Sequence, residues 1–147
     1  MAHRLLYLSI VSMIAGASVP FPFAVAGPAR EFSQFPAKVK TEASHAVKFE
    51  TPEAKKYRSA IAKAVKKPPN FAGYCTLVEL GCGSGCVKFV VVDRKSGEVI
   101  DGGAEGYGEL AYQPGSRLIE ATASCPDTGK CPKKYLLFEG GQLHPLD

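Results

Sequence analysis

The chain has 147 residues, five cysteines and a formal net charge of +4. That length suits one domain with a modest core, small enough for disulfides to matter. No Lys/Arg cluster is interleaved with aromatic residues, so the composition offers no nucleic-acid interface.

The first 26 residues read as a secretory signal peptide. His3 and Arg4 make a short polar start, residues 5–19 carry no charge, and Ala24-Val25-Ala26 before Gly27 is an A-x-A cleavage site. The 15 residues before Pro20 fall short of the ~20 that span a bilayer, and Pro20 and Pro22 interrupt the run. No cysteine near the site would take a lipid, and no later apolar run is long enough to cross. The expectation is a periplasmic or secreted chain, residues 27–147, without a transmembrane segment. Its charge is uneven. Residues 27–70 hold ten basic and four acidic side chains, a net of +6, against seven and ten, a net of −3, in the remainder. A basic front suits an anionic partner, or simply a solvated helix face.

Residues 27–50 keep no sustained period and read as an extended or partly ordered arm. Short alternating runs at 37–40 and 46–49 are candidate strands. Residues 51–147 follow as a single domain. Thr51 is a good N-cap, Pro52 suits the first helical position, and Glu53 faces the positive end of the helix dipole. Tyr57, Ile61 and Val65 recur at i, i+4 and i+8, and Pro68-Pro69 ends the pattern, which predicts one amphipathic helix over 52–66.

The period then changes to two. Strands are predicted at 74–80, 87–92, 98–100, 117–122, 134–138 and 142–144, separated by turn chemistry such as Asp-Arg-Lys-Ser-Gly and Glu-Gly-Gly. The connections are too short for crossover helices, so the strands should pair antiparallel. The fold class is therefore α+β: one helix on an antiparallel meander of five or six strands, with disulfide-stapled hairpin loops.

The segment GCGSGC, residues 81–86, lies between two of these strands. A phosphate-binding loop would open a helix, and so would a nucleophile elbow, which also needs glycines two before and two after Ser84, where Cys82 and Cys86 stand. Zinc sites favour C-x2-C pairs, and none is present. No metal, and no other cofactor, is expected. Disulfide chemistry fits the compartment. A hairpin tip can bring Cys82 and Cys86 face to face, and the loop from Cys125 to Cys131 is alike. Local pairs Cys82–Cys86 and Cys125–Cys131 are favoured over a crossed pairing such as Cys82–Cys125. Cys75, inside an apolar strand, is then the free thiol, read as a small buried hydrophobe.

PNFAGYCTLVELGCGSGCVKFVVVD, residues 69–93, resembles an uncharacterised family of small secreted bacterial proteins. Its pattern is P-N-F-A-G, an aromatic residue, a strand, G-C-G-x-x-C, a second strand and a D-x-x-x-G hairpin. The resemblance implies secretion and this strand order, and carries over no catalytic residues. Cys75 stands outside the pattern.

For function, the leading expectation is a small binding or inhibitory protein, of the kind that serves as immunity partner to a toxin or meets an envelope protein. Its presenting loop would be the glycine-rich 101–109 segment, with Asp101, Glu105, Tyr107 and Glu109 as partner-binding candidates. Alternatives are an envelope-structural or stress role and, behind it, a cell-envelope hydrolase using Asp101 with Glu105 or Glu109 as paired carboxylates. No histidine stands in a catalytic context, and a C-x3-C hairpin lacks the helix N-terminus that activates redox thiols. The sequence leans against an enzyme, names no catalytic residue, and leaves the oligomeric state open.

Overall fold

The structure, a computed structural model, describes residues 30–41, 44–125 and 131–146. The expected signal segment and cleavage site lie outside the described residues.

Seven strands form one antiparallel sheet: β1 (Cys75–Gly83), β2 (Cys86–Asp93), β3 (Val99–Asp101), β4 (Tyr107–Ala111), β5 (Leu118–Ala123), β6 (Lys133–Glu139) and β7 (Gln142–Leu146). The order is β1-β2-β4-β5-β6-β7, and β3 pairs with β2. β3 and β4 share one edge of β2. Val90 to Val92 pair with β3, while Val87 pairs with Tyr107 at the start of β4. The meander thus has seven strands rather than five or six, because the glycine-rich segment contributes β4.

β1 and β2 form the buried centre. Alternation sends Leu77, Phe89 and Val91 to one face and Val78, Leu80, Val90 and Val92 to the other. Both faces are covered, so apolar residues are buried on either side of the two strands.

The second of these faces packs against helical residues. The expected single helix over 52–66 is not what forms there. Two short helices occur instead, α1 (Pro52–Lys56) and α2 (Arg58–Ala64), with Tyr57 between them at φ −104°, ψ 22°. The Thr51 side chain caps α1 by accepting from the Ala54 amide at 3.1 Å. Ala54 and Ile61 are fully buried against Val78, Leu80, Val90 and Val92. The apolar stripe is correct although the helix is interrupted. At the far end Arg94 donates from Nη2 to the carbonyls of Val65 and Lys67, satisfying groups that a helix terminus leaves open.

The first face is closed by the segment 70–74. The Asn70 side chain behaves as a strand partner for Leu77, donating to its carbonyl (2.9 Å) and accepting from its amide (2.8 Å). Phe71, fully buried, meets Phe138 of β6 at 5.8 Å and Tyr112 at 6.4 Å between ring centroids, both edge-on. Ala72 and Gly73 turn with positive φ (47° and 82°) and donate to the carbonyls of Ser116 and Pro114. The start of β1 is thereby tied to the β4–β5 turn and to β6, so the sheet curls around Phe71.

The strands expected at 37–40 and 46–49 do not form. The arm is fixed by separate backbone bonds to loops: Ala37 to Gly115, Lys40 to Gly73, His45 to Arg94 and Lys48 to Gly97. Ser116 is its other anchor, its hydroxyl lying 2.9 and 3.0 Å from the carbonyls of Phe32 and Phe35. Among the described residues no helix is long and apolar enough to cross a membrane.

Candidate functional site

Three glycine-rich or cysteine-bounded segments meet at one end of the sheet. The first is the β1–β2 tip. Gly81 faces Val87 and Gly83 faces Cys86, so Cys82 is the extra residue of a bulge. Cys82 and Cys86 are joined, with α-carbons 5.1 Å apart. Gly85 (φ 64°) supplies the left-handed residue that the tight turn requires.

The second segment is 101–106. A β-carbon placed on Gly106 would lie 2.4 Å from the Cys86 sulfur and 3.2 Å from that of Cys82, so only glycine lets this chain lie on the disulfide. The third is the end of β5 with the Cys125–Cys131 loop. Those two cysteines are also bonded, with α-carbons 5.8 Å apart. Ser124 donates from its hydroxyl to the Gly85 carbonyl at 3.1 Å, which ties this segment to the first tip. Both disulfides are local, and the Ser124–Gly85 bond joins the segments that carry them.

The candidates of the 101–109 segment separate into different roles. Asp101 accepts from the Gly103 amide and shapes its own turn (3.0 Å). Glu105 is exposed and pairs with Lys134 of β6; that bond is the main reason the lysine's pKa is raised. Glu109 is exposed on β4. Tyr107 corrects the expectation of a contact residue. It is only 6% exposed and its ring meets Phe89 at 6.1 Å, so it belongs to the core. Burial raises its hydroxyl pKa first, with the Glu105 charge adding to the effect. Asp101 and Glu105 thus have separate partners, a turn amide and Lys134, while Glu109 stands on β4. Among the described residues no three His, Cys, Asp or Glu side chains are grouped as a metal would require.

Cys75 is free and fully buried, at the opposite end of β1 from the tip. Burial, and then the neighbouring Asp93 charge, push its thiol from 9.0 up to about 12. At pH 8 its thiolate population is then about a thousandfold below that of an ordinary cysteine, so thiol reagents should modify it only after unfolding. Because the folded value is raised, the stability it contributes is full below pH 9 and is lost as pH climbs towards 12. Tyr74 and Tyr112, each raised mainly by burial from 10.0 to about 12, add to the same loss. Urea midpoints at pH 7, 9 and 10.5 should be flat over the first interval and fall over the second. A midpoint unchanged at pH 10.5 would contradict this account.

Asn70, Phe71, Gly73 and Arg94 were not singled out by sequence reasoning for the positions they hold. Their signal was present in part: an Asn before a Phe-Ala-Gly turn is a side chain able to imitate backbone. No family model matches the chain, and no curated protein or solved structure matches it either.

Proposed function

We propose that the protein is a small secreted or periplasmic binding or inhibitory protein, of the immunity type, which recognises its partner through the glycine-rich pole. The observation that supports this reading most is the contact between Gly106 and the Cys82–Cys86 sulfurs, together with the Ser124–Gly85 bond. Exposed turns normally lose much entropy when they bind, and loops held against one another in advance lose less. The pole displays Gly83, Ser84, Gly103, Ala104 and Glu105 to solvent, on a scaffold with buried faces. The resemblance of residues 69–93 to small secreted bacterial proteins supports the secreted compartment of this reading, not the binding role.

The test is affinity capture from native periplasmic extract, comparing the natural protein with a Ser84→Arg/Ala104→Arg variant. Both positions are exposed, so the fold should tolerate the change. One near-stoichiometric partner is expected with the natural protein, weakened at least about tenfold by the variant, since unpaired charges in an interface cost several kcal/mol. The Cys82→Ser/Cys86→Ser variant should stay folded, having lost about 2 kcal/mol of chain-entropy stabilisation, yet bind more weakly. Capture of no partner, or of one indifferent to both variants, would move the reading to an envelope-structural role.

A further inference from the structure

We propose that the cavity at the C-terminal end of α2 is a binding site for a phosphate-class oxyanion, either free or carried on a lipid headgroup. The cavity holds about 360 Å³ and is lined by Thr41, Ser44, Lys66, Lys67, Pro68 and Arg94, among others. Three of these side chains are cations and two carry hydroxyls. Among the described residues no carboxylate lines it.

A helix C-terminus would ordinarily repel an anion, because its last carbonyls carry partial negative charge. Here Arg94 has already neutralised that end by donating to Val65 and Lys67. Arg94 is only 8% exposed, and its Nε–H is buried without an acceptor among the described residues. A buried donor left unpaired in this way is costly unless something else supplies the acceptor. The nearby carboxylate of Asp93 is engaged on other groups, accepting from the amides of Lys95 and Ser96 and from the Tyr74 hydroxyl. Among the described residues the charge of the lining is therefore positive.

Lys66 and Lys67 are exposed at its rim, and the basic surface continues along the helices through Lys63, Arg58, Lys56 and Lys55. None of these four or the two rim lysines forms a salt bridge among the described residues. A phosphate monoester or diester seated in the cavity would meet Lys66, Lys67 and the hydroxyls of Thr41 and Ser44. The remaining cations would favour whatever larger anionic body carries it.

The experiment titrates the protein with inorganic phosphate at constant ionic strength and follows amide chemical shifts. Saturable shifts confined to residues near Thr41, Ser44, Lys67 and Arg94 are expected. Arg94 caps the helix, so its removal risks unfolding; Lys66→Gln/Lys67→Gln is the informative variant. It should weaken binding about three- to tenfold with an unchanged melting temperature, as removal of two exposed charges predicts. Co-sedimentation with phosphatidylglycerol vesicles, against phosphatidylcholine, distinguishes the sources. Phosphate binding together with vesicle binding that the double variant loses identifies a headgroup ligand. Phosphate binding alone identifies a soluble one. Shifts that are linear, or equal in chloride, overturn the site, and so does vesicle binding without saturable phosphate binding.

Discussion

Phe71→Ala is expected to destabilise the protein by about 3–5 kcal/mol, the usual range for truncating a fully buried aromatic side chain. Three features place it at the upper end. Its ring is completely buried and meets the rings of Phe138 in β6 and Tyr112 just after β4. Its backbone exchanges hydrogen bonds with Cys75, so the surrounding segment cannot easily move inward to fill the space. It also lies where the curl of the sheet closes, so contacts on both sides of the hole are lost together. Against a total stability of about 5–15 kcal/mol, that is a fifth of the whole or more, and it would leave a substantial unfolded fraction at 37 °C if the natural protein lies at the low end. Chemical denaturation of the variant checks it. Phe71→Leu should recover much of the loss, and a cost below about 1 kcal/mol for the alanine would show that the closure at Phe71 is not what holds the sheet.

Gly73→Ala should cost roughly 2–4 kcal/mol, from left-handed backbone strain plus a steric clash. At φ +82° any side chain is strained, and the new β-carbon would stand 2.3 Å from the Lys38 carbonyl oxygen. The neighbour is backbone, so it can only withdraw by breaking the Lys40–Gly73 hydrogen bond of 2.8 Å. The arm should therefore loosen locally. Gly140→Ala separates the two contributions. Gly140 has φ +59° but open space around it, so its substitution should cost only about 1 kcal/mol. Denaturation midpoints of both variants, with amide exchange at Lys40, test the pair. Equal costs would mean that the clash contributes nothing.

How much of this was legible in the sequence depended on whether a local pattern or a distant contact set the structure. The apolar stripe of Tyr57, Ile61 and Val65 identified the face that packs on the sheet, because period 3.6 is written locally. The bend at Tyr57 has no counterpart in that pattern. The β1–β2 hairpin was readable from alternation and from the turn residues at its tip. The strand β4 was hidden by its composition. Glycine weakens a strand, so the run from Gly102 to Gly108 reads as a loop. Its glycines are instead sites of close approach: Gly106 lies on a disulfide, and Gly108 would place a β-carbon 3.2 Å from the Ala123 carbonyl. The same error put Tyr107 at the surface. The arm failed differently. Its alternation suggested strands, yet its partners are single backbone groups on loops far away in sequence, and no local pattern encodes those. Of the candidate site, the cysteines were legible because their spacing is short, whereas the grouping of three segments at one pole depends on sheet order.

The edge strand β7 has a consequence for how copies of this chain behave when crowded. Pro145 lies opposite Leu136 in a ladder whose hairpin closes between Glu139 and Gln142, through Gly140 and Gly141. With that register the outward-facing positions of β7 are 143 and 145, and proline has no N–H at the second of them. A strand from another molecule would find a single amide to bond, with a pyrrolidine ring beside it. The sheet thus ends in an edge that resists stacking into filaments, and crowded copies of this chain should not seed fibres along this side.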